Sequence, residues 1–323
     1  MIQYRPFLNP DRPALAEIWR AQAPIRGRAQ PLTTALLEEL VLSKPYFTRE
    51  GLIVALDGAR PIGFVHAAFG PNADRSACDP SVGVIAMLAV VPHERRGEVT
   101  CELMSAAQAY LRKAGAKTVL VGGAPPNDPY YLGLYGGAQS AGVLDGDTDW
   151  TAPLVAEGYR PTQEWTLWRR TLDDYNPPFD RKLIYLARDY ELAAVNDPAT
   201  ENWWEACLWG HLFRTRYDLV SRSKGTRTAS AFLWDLQPLA KTWGEHAAGI
   251  LKVVDTPELR SQGHTALLIS EILQTLVQEQ VGVVEAVLPA EDRDLAPILE
   301  SLTFEAYEHG RVYQLAGDAS PPK

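Results

Sequence analysis

The apolar positions of this chain change period twice in the same way. Near Leu88-Ala89-Val90-Val91-Pro92, and again near Val253-Val254-Asp255-Thr256-Pro257, a run that reads as a strand meets a proline, which cannot continue a central strand. A polar, glycine-bearing loop follows each proline. After the second loop, Leu267, Leu268, Ile272 and Leu276 recur at helical spacing, so the segment predicts strand, turn and helix start. The two copies share one register: 257−92, 260−95, 265−100 and 268−103 all equal 165, pairing Pro with Pro, Arg with Arg, Thr with Thr and Leu with Leu. Four matches at one offset argue for a duplicated domain.

The flanking pattern gives each half a mixed α/β plan. In the first half the pattern predicts a strand over 2–8 and a helix opened by Asp11 and Pro13. A second helix over 35–42 is capped by Thr33 or Thr34, and a hairpin turns at Asp57-Gly58. A strand over 82–91, a helix over 98–113 and a strand over 117–121 follow. In the second half the pattern predicts an opening strand over 183–187 and a helix over 198–213 holding Trp203, Trp204 and Trp209. Strands over 216–221, 228–236 and 246–254 come next. A strand over 281–288, a helix over 294–302 and closing strands near Ala306 and 311–315 end it. The three tryptophans read first as packing between domains and second as an acceptor pocket. Residues 164–170 read as an edge or closing strand, and the proline-rich stretch 173–180 as the linker, placing domains at 1–175 and 176–323.

The first half carries about 20 extra residues, since the Gly158-Tyr159 and Thr303-Phe304 junctions are separated by 304−159, or 145, rather than 165. That insert holds Gly136-Gly137 and the acidic Asp145, Asp147 and Asp149. It reads as a tolerated surface insertion rather than a lid, and its aspartates as a solvated turn, because no glutamate follows at calcium-loop spacing.

Composition narrows the partners. A net charge of −9 over 323 residues opposes binding to a phosphate backbone, so nucleic acid is not expected. Three scattered cysteines, Cys78, Cys101 and Cys207, suit neither a disulfide framework nor a zinc site, and no metal is expected. With no long apolar run and no signal pattern at the start, no membrane contact is expected and the chain reads as cytoplasmic, a monomer or homodimer.

A helix opening at the second loop directs unpaired amides, the positive end of its dipole and Arg260 toward one point, which suits a phosphate. The stretch Arg260-Ser261-Gln262-Gly263-His264-Thr265 resembles the acyl-CoA signature of the GCN5-related N-acetyltransferases (GNAT), in a tandem arrangement like that of mycothiol synthases. The resemblance implies two tandem GNAT-like domains and acetyl-CoA as donor. Backbone groups of the strand before the loop then hold the thioester, and the loop amides hold the pyrophosphate. By that resemblance Val253, Val254, Asp255, Arg260, Ser261, Gln262, Gly263, His264 and Thr265 bind the donor in the second half. Leu88, Val90, Arg95, Arg96 and Gly97 are their counterparts in the first. Transfer to a primary amine needs a base and an acid for the departing thiolate. Glu245 and His246 are the candidate bases, and Tyr135, which falls in the family's asparagine-to-tyrosine stretch after Asn127, is the candidate acid. Neither half is complete: Glu98 stands where the first loop should have glycine, and Leu299 where the second half should have tyrosine. The expectation is an N-acetyltransferase acting on an amine of a small molecule or peptide, with the second half the stronger donor site. The alternative is a catalytically silent acyl-CoA-binding or scaffold protein.

Overall fold

The computed structural model describes residues 1–315. In chain order the first half contains β1 (Ile2–Pro6), α1 (Arg12–Arg20), α2 (Thr34–Leu37), β2 (Leu52–Asp57), β3 (Arg60–Pro71), β4 (Cys78–Val90), α3 (Arg96–Lys113), β5 (Thr118–Val121), β6 (Val143–Leu144), α4 (Thr148–Ala156) and β7 (Tyr159–Thr171). The second contains α5 (Arg181–Asp189), β8 (Tyr190–Asn196), α6 (Trp203–Trp209), β9 (Arg214–Ser221), β10 (Arg227–Asp235), α7 (Gln237–Trp243), β11 (Ala247–Val254), α8 (Pro257–Ser261), α9 (His264–Gln278), β12 (Val283–Pro289), α10 (Ala296–Ser301) and β13 (Glu305–Leu315). Local chemistry accounts for several starts. Thr33 accepts a hydrogen bond from Leu36 N, Asn202 from Glu205 N and Thr256 from Leu259 N, each supplying an orphan amide with a side-chain oxygen.

All the strands join one mixed sheet, in the order β1-β2-β3-β4-β5-β13-β7-β12-β11-β10-β9-β8, with β6 also on β13. The order contains an exchange. β13, the last strand of the second half, fills the place beside β5 of the first, with Tyr313 opposite Val121. In return β7, from the first half, lies beside β12, with Arg169 opposite Glu285. β7 and β13 pair with each other along most of their length. Residues 164–170 are therefore interior to the sheet and not at an edge, because β12 would otherwise leave a row of unpaired backbone groups.

Each half has its own apolar core. One is built on β2 to β5 with Trp19, Phe64, Leu103 and Leu111, and the other packs α9 through Leu268, Ile269 and Leu273 on β9 to β12. A smaller cluster joins them, setting Leu132 of the first half among Trp234, Leu236 and Leu251 of the second.

Two further expectations are corrected. Residues 183–187 lie within helix α5, not a strand: Leu183, Leu186 and Ala187 share one helical face against the second core, and Asp180 caps the start. The opening strand of that half is β8. The insert of the first half is not a surface loop, since Leu134, Ala138, Ala141, Val143 and Leu144 are fully buried. It is an interior strap, with Ala138 O accepting from Trp234 Nε1 at 2.9 Å in the other half. Trp203 and Trp204 pack on Tyr46 of the first half, at 6.0 and 5.0 Å between ring centroids, consistent with packing between domains.

Candidate active site

The duplicated loop sits in each half where two parallel strands part. β4 pairs with β5 from Val82↔Thr118 to Ile85↔Val121, and β11 pairs with β12 from Ala247↔Val283 to Ile250↔Ala286. The offset is again 165 on both strands: 247−82 and 283−118. Beyond Ile85 and Ile250 the partners diverge, and each gap opens toward its proline loop.

In the second half the gap is a cavity of about 280 Å³, lined by Leu251, Lys252, Val253 and Asp255 from β11 and its loop and by Ala286, Val287 and Leu288 from β12. Gln139 and Trp165 of the first half close one side, and Gln139 Nε2 donates to Leu251 O. Arg260 reaches this cavity but is held there by acids. It donates to Asp255 at 2.6 and 2.9 Å and meets Asp294 Oδ2 at 2.6 Å. Its hydrogen bonds to Asp255 raise its basicity and hold the Asp255 carboxyl below the usual carboxylate range. The loop itself winds into α8, so the amides of Arg260, Gln262 and Gly263 bond to Thr256 O, Glu258 O and Arg260 O. The Ser261 hydroxyl bonds to Glu258 O, and Ser261 O accepts from Lys182 Nζ at 2.9 Å. Gly263 takes φ +91°, a left-handed conformation that lets the chain turn from α8 into α9. His264 is buried, its Nδ1 3.1 Å from Leu259 O and its ring edge-on to Tyr190. Thr265 donates its hydroxyl to Asp255. Val254 is exposed, still paired with Ser230 of β10 but beyond the end of the pairing with β12.

In the first half the corresponding gap is filled. Leu88, Val90 and Arg96 surround about 10 Å³, and Asp147, Asp149 and Trp150 of the insert occupy the rest. Arg96 pairs with Asp149 at 2.9 Å, Arg95 with Glu98, and Gly97 is exposed on the first turn of α3. The insert's aspartates each take an arginine, Arg311 on Asp145, Arg28 on Asp147 and Arg96 on Asp149, rather than standing as a solvated turn. Tyr135 is buried against this plug. Its hydroxyl donates to Asp147 at 2.9 Å and accepts from Leu144 N at 3.1 Å, and burial drives its pKa well above the ordinary phenol value.

Two halves with one strand-parting geometry, at one offset, decide the architecture. The chain has the tandem GNAT fold. Residues 13–135 match the family model described as "Acetyltransferase (GNAT) family". Among solved structures, a tandem GNAT protein from the clavulanic acid biosynthesis pathway is 17% identical, with all of both chains covered and a TM-score of 0.65. A GCN5-related N-acetyltransferase from Sphaerobacter thermophilus is 14% identical over 97% of this chain and 95% of its own, with a TM-score of 0.61. The N-myristoyltransferase of Saccharomyces cerevisiae is 10% identical over 97% of this chain and 80% of its own, with a TM-score of 0.57. No curated protein matches the sequence. Among the described residues no helix is long and apolar enough to cross a membrane, and no cluster of three metal-ligating side chains occurs.

On this tandem GNAT fold the candidate bases Glu245 and His246 lie just before β11, exposed, with His246 O accepting from Gly282 N and Val283 N. They stand roughly 13–17 Å of strand rise from Ile250, where the strands part. A different carboxyl is at the parting point. Glu285, one residue before Ala286, is 1% exposed, and its side chain lies on the face opposite α9. Its carboxylate lies beside the Tyr307 hydroxyl, close enough to feel it as a donor but outside good hydrogen-bond geometry, while Nε and Nη2 of Arg26 and Nε of Arg169 are buried without a hydrogen-bond partner. Desolvation lifts the Glu285 carboxyl to about 7, against the opposing pull of Tyr307, Arg26 and Arg169. One signal of it is visible in the residues alone, a lone glutamate in the apolar strand Val283-Val284-Glu285-Ala286-Val287-Leu288.

Proposed function

We propose that the protein is an acyl-CoA-dependent N-acyltransferase that works in its second half, with domains 1–175 and 176–323 and acetyl-CoA as donor. The observation that carries this reading is the open gap between β11 and β12, with Glu285, a buried carboxyl of near-neutral pKa, next in the chain to Ala286 of its lining. The acyl thioester lies along the backbone of Leu251 to Val253. The pyrophosphate approaches the first turn of α9, whose amides have no partner within the helix, with Lys182 and Arg260 alongside. Glu285 takes the proton from the attacking amine, a role for which a pKa close to the working pH is favourable. The first half, its gap filled by Asp147 and Trp150, builds the site by supplying β7, the strap and Gln139.

Calorimetric titration with acetyl-CoA and with CoA tests the reading. One site per chain, weakened by Arg260→Ala and untouched by Arg96→Ala, is the expected result; two sites or none overturns it. A silent acyl-CoA-binding protein is the second reading, favoured by the ion pairs that hold Arg260 on Asp255 and Asp294. It predicts binding without thiol release for any amine offered.

A further inference from the structure

The groups around Glu285 come from four separate segments. Arg169 is its register partner on the exchanged strand β7. Tyr307 is the extra residue at a bulge in β13, where the pairing slips between Ala306 and Glu308, a device that re-aims a side chain. Arg26, from the loop after α1, lies 4.3 Å over the Trp243 ring and 5.8 Å from that of Tyr307. Gly137 of the strap comes so close that a Cβ there would lie 2.8 Å from Glu285 Oε2.

This nook holds two guanidiniums, and among the described residues their one ion-pair contact is that of Arg169 with Glu245. Among the described residues neither arginine lies within ion-pair distance of Glu285. Arg169 has only a long 3.7 Å contact to Glu245, whose side chain is 43% exposed. Burial, then the neighbouring Arg169, weakens the basicity of Arg26. Desolvating two like charges side by side is costly unless an anion joins them. Glu285 meets that need poorly, since burial makes it as much acid as carboxylate near neutral pH.

We propose that the nook is the acceptor site and that it selects amines carrying a nearby carboxylate, which Arg26 and Arg169 hold while the amino group faces Glu285. The inference rests on the acyltransferase reading of the same site. Arginine suits the task because its planar fork meets both oxygens of a carboxylate. Glu245 is then a surface counter-ion that the incoming acid displaces from Arg169. In the reaction the amine lone pair attacks the thioester carbonyl carbon, and the C–N bond forms as the C–S bond breaks. One amine proton passes to Glu285 and the thiolate takes up a proton, so amide and free thiol leave.

The test uses the full chain with acetyl-CoA and reads thiol release for free α-amino acids and for the same amino acids as carboxamides. The acids are expected to be used at lower KM. Arg169→Gln and, separately, Arg26→Gln should raise the KM for the acid at least about tenfold, the worth of one charge-assisted hydrogen bond, with acetyl-CoA binding unchanged. Arg169→Lys should recover part of the loss, and Glu245→Gln should lower KM. Equal use of acid and carboxamide, or unchanged KM in folded arginine variants, overturns the proposal while leaving acyl transfer standing. If acetyl-CoA does not bind, the donor reading fails by itself, and calorimetry of the amino acids alone then decides. Binding that Arg169→Gln abolishes supports the clamp, and no binding ends it.

Discussion

Gly137 and Glu285 meet across the two halves of the molecule. The first is in the strap of one half, the second in the strand of the other, and a single Cβ at Gly137 would stand 2.8 Å from the carboxylate and 3.3 Å from Leu167 Cδ2. Gly137→Ala is therefore expected to push Glu285 off its position, costing roughly 1–3 kcal/mol as overpacking does and lowering kcat more than it raises donor Kd. Chemical denaturation and steady-state kinetics on the same preparation check both parts. A variant with unchanged kcat would remove Glu285 from the chemistry.

Glu285 also sets a pH dependence. Its folded pKa of about 7 exceeds the value of about 4.3 for an unfolded glutamate, so between those values the folded chain holds the extra proton. The stability this group contributes is full below about pH 4.3 and is lost as pH rises through about 7. Arg26, Arg169, Tyr307 and the nearby Glu245 face the same space and set the local field. The stability of wild type relative to Glu285→Gln should fall between pH 5 and pH 8. Transfer needs the ionised form, so kcat/KM should climb through about pH 7 and the glutamine variant should lose that limb. A stability difference that stays flat over this range contradicts the assignment.

The grip of Asp255 on Arg260 predicts a gain of function. Asp255→Asn removes a negative charge from the cavity and leaves the guanidinium paired with the exposed Asp294 alone, so CoA should bind several-fold more tightly, the direction expected when an anion site loses a competing carboxylate. Gly263→Glu is a harsher probe, because it combines charge with a left-handed backbone that costs a side chain roughly 1–2 kcal/mol. Calorimetry at low and moderate salt separates the two. Unchanged affinity in Asp255→Asn would place the pyrophosphate elsewhere.

The plug of the first half is expected to matter for stability and not for turnover. Asp147→Ala leaves Arg28, itself 2% exposed, without its carboxylate, and removing one partner of a buried pair costs roughly 3–5 kcal/mol. Tyr135→Phe removes only the hydroxyl shared with Asp147 and Leu144 N, about 1–3 kcal/mol. Urea titrations measure both losses. If Tyr135→Phe abolishes transfer while the chain stays folded, the acid is in the first half and our placement of the site is wrong.

Much of this protein was legible in its residues. The offset of 165 that links Pro92 with Pro257 also sets the strand register, Val82↔Thr118 and Ala247↔Val283, because a repeated strand-loop-helix carries its pairing with it. Glu98 beside Arg95 marked the first loop as altered, and an arginine and an acid do pair there. The residues around 183–187 misled because Leu183, Ile184, Leu186 and Ala187 fit a short strand or a helix face equally, and only packing on α9 distinguishes them.

What local sequence determined, then, is the kind and order of elements, since period, proline and caps act within a few residues. Tertiary structure alone decided which half keeps its gap. Asp147 and Trp150 enter the first gap from an insert about 50 residues further along the chain, and no local rule fixes where such a segment returns. It decided the β7 and β13 exchange, and with it the meeting of Arg26, Arg169, Glu285 and Tyr307. The burial that makes a carboxylate basic is a property of what surrounds it, and here the surroundings come from both halves.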